Sequence, residues 1–303
     1  MVKRILFLLS IFFGFSLIAF TQSNVRGDSG FVGSETCKGC HEISHASYAK
    51  SVHAKKAISG SPANREGCES CHGPGAQHVE KGGGKGVSIL AFERKGDSKA
   101  KSSKCLACHE ESKHLTSWDI SKHKSAGISC DNCHSIHGGT DKPLKAKEPD
   151  LCYSCHKYIR TQQNKQSHHP VKEGRLRCSS CHNVHGSFGP RMVKADSVND
   201  LCYTCHTEKR GPYAFEHPPV QENCLNCHEI HGSNHSKLLV RKVPFLCQSC
   251  HTRTQTSHPV RPYTNFHSFG GPATVQKNKF YARSCLNCHG NIHGSSRSHD
   301  FVR

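Results

Sequence analysis

Residues 178–187 read CSSCHNVHGS: two cysteines three apart, a histidine directly after the second, and another histidine three residues on. Two thiols one short turn apart reach the two vinyl groups on one porphyrin edge and form thioethers. The histidine that follows reaches the iron from one face. C-x-x-C-H is therefore the attachment signature of c-type haem. Every one of the 20 cysteines belongs to such a site. The ten sites are Cys37/Cys40/His41, Cys68/Cys71/His72, Cys105/Cys108/His109, Cys130/Cys133/His134, Cys152/Cys155/His156, Cys178/Cys181/His182, Cys202/Cys205/His206, Cys224/Cys227/His228, Cys247/Cys250/His251 and Cys285/Cys288/His289. Tetrahedral zinc does not require a histidine after each pair, a thioredoxin-like pair occurs once per domain, and a disulfide framework leaves the ten histidines unexplained. The cofactor expected is ten covalently bound haems c.

The sites alternate between two forms. The A form is mostly preceded by an acidic or apolar residue, as in DLCYSCH and FLCQSCH. The B form carries a trailing histidine, usually followed by glycine, as in CDNCHSIHG and CLNCHEIHG; the first, CESCHGPGAQH, is irregular. One A and one B make a unit of roughly fifty residues. Five units are expected, at about 31–95, 96–143, 144–193, 194–239 and 240–303, after a leader over 1–23. Together, 24–303 form one cytochrome domain. The first unit is stretched by a glycine-rich loop, Lys81 to Gly86, and the last by Pro259 to Phe280. Atypical end units suit caps on a stack.

Each iron has a second face. The recurring histidines upstream of the B sites are His53, His123, His169, His217 and His258; those trailing them are His78, His137, His185, His231 and His293. These are the ten candidates for the distal ligand. A trailing histidine cannot pass round the edge of the ring that its own neighbour already ligates, so it is expected to serve an adjacent haem. His45, His114, His168, His235, His267 and His299 are spare, and His168 competes with His169. Met1 leaves with the leader, and Met192 is read as packing. Two imidazoles per iron imply low-potential, six-coordinate haems with no open place for substrate, which favours carrying electrons over transforming a molecule.

The elements that must hold these groups have little apolar material. The hydrophobic fraction is 34%, with one Trp and two Met, against about 45–50% in ordinary domains. Mean hydropathy is −0.61. The porphyrins themselves are expected to supply the core, and the chain without them to be unfolded. Helices should be short and follow the A sites, the best over Glu42 to Ala57 and a second over Glu110 to Lys124 with Trp118. His169-Pro170, His217-Pro218 and His258-Pro259 favour turns and extended chain. Strands should be almost absent.

Lys3 and Arg4, an apolar run from Ile5 to Phe20 and small residues at Thr21–Ser23 read as a secretory leader, with an uncleaved anchor as the alternative. The formal charge is +18, and +16 once Lys3 and Arg4 leave. Two propionates per haem offset most of that excess. Dispersed residues such as Arg175, Arg177, Arg241, Lys242 and Arg283 suit this role better than a nucleic-acid patch. Neither nucleic acid nor a small-molecule substrate is expected.

The site count, the doubled units and the C-terminal RSCLNCHGNIHGS, Arg283 to Ser295, resemble the periplasmic decahaem cytochromes of the MtrA/DmsE type, over essentially the whole mature chain. The first B site departs from the pattern, with Gly-Pro-Gly-Ala-Gln between His72 and His78. The resemblance implies a multihaem cytochrome c fold, mostly coil, with an elongated chain of bis-histidine haems in five dihaem repeats. It also implies a periplasmic protein seated in an outer-membrane β-barrel porin, exchanging electrons with redox partner proteins such as an extracellular cytochrome or reductase. Beside this conduit stand two other readings. A reductase would need one open iron, and the lysine that replaces the proximal histidine in nitrite reductases does not occur here. A filament-forming cytochrome would donate a ligand such as His267 or His299 across an interface.

Overall fold

The computed structural model describes residues 30–138, 144–251 and 284–302. The expected leader, His258 and His267 lie outside them. Among the described residues there are short α-helices and 3-10 turns and no strand beyond isolated bridges. Units of this composition could not build a side-chain core, and they do not: only Trp118, Tyr153, Val171 and Val193 are buried apolar residues there. In place of a core there is a cavity of about 4980 Å³, lined by cysteines from Cys71 to Cys288 and by most of the candidate histidines.

The attachment sites nucleate their own structure. In nine of the ten sites the histidine backbone N–H donates to the first cysteine's carbonyl at 2.9–3.1 Å. The tenth, Cys105 to His109, forms the end of a helix, Ser98–His109. Each C-x-x-C-H is thus one closed turn. The chain after His182 and His228 then returns to it: bridges join His182 to Val193 and His228 to Leu239, and His134 meets Leu144 in the same way. Two further bridges, Ser167 with Ser233 and Phe215 with Ser295, tie the loops after His228 and His289 to the unit before each.

The two expected helices are shorter than or displaced from their expected ranges. A helix covers Glu42–Tyr48 and stops before Ala57. Ser51 is extended there, and the Tyr48 hydroxyl donates to the His53 carbonyl at 2.9 Å, turning the chain at His53. Over 110–124 the chain makes turns, a 3-10 turn at Trp118–Ile120 and one helical turn at Lys122–Ser125. The longest helix among the described residues, Ser98–His109, leads into its A site instead of following it. Asp97 caps it by accepting from the Lys99 N–H at 2.9 Å, and the Ala- and Lys-containing run after it propagates well. Lys157–Gln163 does follow its A site, as Glu42–Tyr48 does.

Candidate haem sites

The structure brings the candidate histidines together in pairs, one from a C-x-x-C-H and one from the distal set. Ring centroids are 6.3 Å apart for His41/His78, 6.0 Å for His53/His109, 6.3 Å for His72/His137 and 6.1 Å for His123/His156. They are 6.2 Å apart for His134/His185, 6.4 Å for His169/His206 and 6.2 Å for His182/His231. His217/His251 stand at 6.1 Å and His228/His293 at 6.2 Å. Half of 6.2 Å, less the ~1.1 Å from an imidazole centre to its nitrogen, leaves about 2.0 Å, the length of a metal–imidazole bond. Each pair is spaced for one iron between two rings.

The pairing follows a rule. An upstream histidine reaches forward to the A site of the next unit, as His53 does to His109 and His169 to His206. A trailing histidine reaches back to the B site of the previous unit, as His185 does to His134 and His231 to His182. The first A site is the exception, with His78 turning back on His41 inside its own unit. The irregular Gly-Pro-Gly-Ala-Gln insertion accommodates this by placing His78 on a separate helix, Ala76–Glu80.

Backbone carbonyls hold several of the imidazoles by Nδ1. His72 pairs with the Leu90 carbonyl at 2.8 Å, His182 with Arg191 at 3.2 Å, His228 with Lys237 at 2.9 Å and His289 with Asp300 at 2.5 Å. On the distal side, His78 meets Val87, His123 meets Val184 and His169 meets Ile230, each at 2.9 Å. His137 meets the Ser44 carbonyl at 3.2 Å. An Nδ1–H donated to a carbonyl fixes the tautomer and raises the basicity of Nε2, as at metal-bound histidines generally. Val184 and Ile230 directly precede His185 and His231, so one short loop both holds one distal imidazole and presents the next.

Burial favours the neutral form, the state that ligates a metal, at seven of the candidate rings. It lowers His53, His72, His182, His185, His217 and His231, and takes His293 down to about 4, with neighbouring imidazoles or Lys209 adding to the effect. Glycine follows the trailing histidine because the loop runs against the preceding unit: at Gly232 (φ +156°) a Cβ would collide with the Gln162 carbonyl, and at Gly186 with that of Ser117.

The attachment cysteines are also arranged in sequence. Within a unit the first cysteines meet: Cys105 with Cys130, Cys152 with Cys178 and Cys202 with Cys224 share hydrogen bonds that raise the A-site thiol and lower the B-site one. Between units the second cysteines are neighbours. Burial raises Cys71, Cys133, Cys181 and Cys227, and the next units' Cys108, Cys155, Cys205 and Cys250 respectively add to it. The attachment points therefore succeed one another in chain order, by alternating first-cysteine and second-cysteine contacts.

The cavity does not extend over the whole first unit. Cys37, Cys40 and Cys68 are off its wall, as are His41, His72, His78 and His137. Cys40 is exposed. Its N–H still donates to the Cys37 carbonyl at 3.2 Å, so the turn itself is closed. Exposure does not set this site apart, since Cys108, Cys155, Cys181, Cys205, Cys250 and Cys288 are exposed too and line the cavity.

The cavity wall fits a group with acceptor oxygens. Trp118 Nε1 and Tyr153 Oη are buried in it without a hydrogen-bond partner. Porphyrin propionates would satisfy both donors. Three of the spare histidines have other neighbours. His168 Nε2 pairs with Glu173 at 2.9 Å, leaving His169 to face His206. His299 stands by Asp300 and Phe215, and His45 by Glu35. Met192 Sδ accepts from the Lys122 N–H at 3.4 Å.

The chain matches the family described as Doubled CXXCH motif over residues 123–161, 168–211 and 217–256. Multiheme cytochrome MtrA of Shewanella baltica (strain OS185) is 39% identical over 268 residues, covering 87% of this chain and 79% of the relative. C-type polyheme cytochrome OmcB of Geobacter sulfurreducens is 26% identical over 301 residues, covering 87% of this chain and 36% of that longer protein.

Proposed function

Because this chain belongs to the MtrA-type multihaem c-type cytochromes, which bind haem covalently and transfer electrons, we propose that it carries ten haems as one relay. Haem supplies the one-electron redox change at iron. The chain's residues do the rest. The twenty attachment cysteines anchor the rings, Cys37 and Cys40 on the strength of their motif and closed turn. His41, His72, His109, His134, His156, His182, His206, His228, His251 and His289 ligate from one face. His78, His137, His53, His185, His123, His231, His169, His293 and His217 close the other face of the first nine, in that order. His258, outside the described residues, is the distal candidate that completes the set.

The observation that carries this reading is the run of nine imidazole pairs at 6.0–6.4 Å, in chain order, with Nδ1 of His72, His78, His123, His137, His169, His182 and His228 tied to carbonyls. Both faces of each of those irons are then filled, which supports relay over reductase. Neighbouring cysteine contacts keep successive rings close, and tunnelling rates fall exponentially with that gap. Carbonyl hydrogen bonds and burial set the potentials. The leader at the N-terminus supports export to the periplasm. There the chain would serve as the inner part of a conduit through an outer-membrane β-barrel porin, passing electrons to or from an extracellular partner. The haem set is tested by a pyridine haemochromogen assay with intact mass: ten haems, all low-spin, are expected, and far fewer would overturn it. The conduit is tested by affinity purification from membranes. Co-purification of a β-barrel is expected, and recovery of the tagged protein alone in the soluble periplasmic fraction would overturn that part.

A further inference from the structure

The two C-x-x-C turns of a unit are held together by a polar side chain at one recurring place. In the first unit, Ser34, three residues before Cys37, accepts from the Cys68 N–H at 3.2 Å. Glu69, directly after Cys68 and 3% exposed, accepts from the N–H groups of Val32 at 3.0 Å and Gly33 at 2.8 Å. In the second, Lys101, four residues before Cys105 and 1% exposed, donates to Asp131 at 3.2 Å, directly after Cys130. Ser102 hydrogen-bonds the Cys130 thiol. In the third, Glu148, four residues before Cys152, takes the Ser179 N–H at 2.8 Å and its hydroxyl at 2.7 Å. In the fourth, Asn199, three residues before Cys202, accepts from the Cys224 N–H at 2.8 Å, while its Nδ2 donates to the Val220 and Gln221 carbonyls at 2.8 and 2.9 Å. The fifth unit has Val243 and Pro244 at these positions, and neither side chain can make such a bond.

Four units reach the same connection with different chemistry: a hydroxyl and a carboxylate, an ion pair, a carboxylate and an amide. What they share is register, three or four residues ahead of the A site and at the first or second residue of the B turn. Chance polar contacts would not repeat that register, and in the second, third and fourth units the first cysteines of the two sites themselves meet. In the third unit, Glu148 and the Cys152 and Cys178 sulfurs all lie within 4.8 Å. That cluster has no metal role, since both sulfurs are attachment points and both Glu148 oxygens are engaged by Ser179.

We infer that Ser34 with Glu69, Lys101 with Asp131, Glu148 and Asn199 are positioning residues that set the gap between the two haems of their own unit. The inference rests on the ten-haem reading above. A B turn fixed by a side chain three or four residues ahead of the partner cysteine leaves the two sulfurs little room to part. The edges of the rings they carry are held with them. The fifth unit, without the clamp, keeps its Cys247–Cys285 contact by other means and is predicted to have the softer pair spacing.

The test uses the mature holoprotein with Asn199→Ala, Asn199→Asp and Glu148→Gln. Haem content and the low-spin optical spectrum report whether the relay itself is intact. The magnetic coupling between haems, read by electron paramagnetic resonance, and the rate of electron passage after photoreduction report the spacing. Asn199→Ala is expected to retain ten haems, to lose coupling in one pair and to slow passage severalfold. Asn199→Asp, which keeps the acceptor for Cys224, is expected to restore both. If Asn199→Ala fails to accumulate, Glu148→Gln decides: it keeps one acceptor, and a partial loss of coupling in the third unit supports the inference. Unchanged coupling and rate with full haem content in Asn199→Ala, or in Glu148→Gln when that variant decides, overturns it. Absence of coupling in the unsubstituted holoprotein would instead count against the relay.

Discussion

His231→Ala separates the pairing rule from its simplest rival. His231 lies three residues after His228, yet its ring stands 6.2 Å from that of His182, with the planes 16° apart. Burial lowers its pKa, with His182 adding to the effect, so the neutral ring is the resting form. Removing it should open the iron of the Cys178/Cys181 haem, a unit upstream, while the proximal His182 keeps its Arg191 carbonyl at 3.2 Å. On the proposed set of ten haems, one iron loses its sixth ligand, so one tenth of the haem should become high-spin. The reduced protein should bind one equivalent of carbon monoxide per chain, where the parent binds none. Carbon monoxide titration at the Soret band measures this directly. The map comes from a second background, Cys178→Ala/Cys181→Ala, which lacks that haem: there His231→Ala should add no carbon monoxide site. An equivalent that persists in this background would place the open iron elsewhere and refute the rule, as would the absence of binding in the single variant.

Other outcomes follow from the same geometry. The paired rings fall into two groups, planes 14–22° apart for His41/His78, His134/His185, His182/His231, His217/His251 and His228/His293, and 56–74° apart for the other four. The ferric protein should therefore give two sets of low-spin resonances in comparable amounts, rhombic and strongly anisotropic; a single set would contradict the geometry. Glu69→Ala strips the acceptor from the N–H groups of Val32, Gly33 and Gly75 and should cost about 3 kcal/mol, at ~1 kcal/mol for each donor left unpaired, read as a lower denaturant midpoint. A shift within the error of the parent would show that water satisfies them. His293 is lowered from 6.5 to about 4, so between those values the unfolded chain holds more protons than the folded one. Its contribution to stability is complete above pH 6.5 and declines as pH falls toward 4. Acid titration should keep the low-spin spectrum through pH 6.5; conversion to high-spin with a midpoint above 6.5 would contradict the burial argument.

The chemistry-bearing residues were legible because covalent haem attachment fixes residue type and spacing locally: no fold is needed to read Cys202, Cys205 and His206 as one site. The family reading from the same pattern agrees with the MtrA relative. Which distal ring meets which site was not legible, because it is decided between units. The sequence places His231 near some adjacent haem; only the loop against Gln162, with Gly232 at the contact, shows that it turns backward. Which sites line the cavity was equally hidden, since the motif of Cys37, Cys40 and His41 is the same as those whose cysteines form its wall. The helix over Ser98–His109 has a local signal of its own, Asp97 as a cap before an Ala- and Lys-containing run. The expected helix over Glu110 to Lys124 gave weight to composition where turns at Ser112, Leu115 and Trp118 prevail. Glu148 and Asn199 could not be read at all. A polar residue just ahead of a cysteine pair looks like ordinary surface until its partner across the unit is known.

The forward and backward reach of the upstream and trailing histidines has a consequence for how such a molecule can grow. A copy of one unit inserted between two others would accept an imidazole from each neighbour and hand one to each in return, so the register heals on both sides of the splice. Half a unit would break the alternation of A and B sites. Conductor length in this architecture can therefore change by tandem duplication without redesign, in steps of two redox centres, and the ends alone need bespoke closure, as the helix bearing His78 provides at the start.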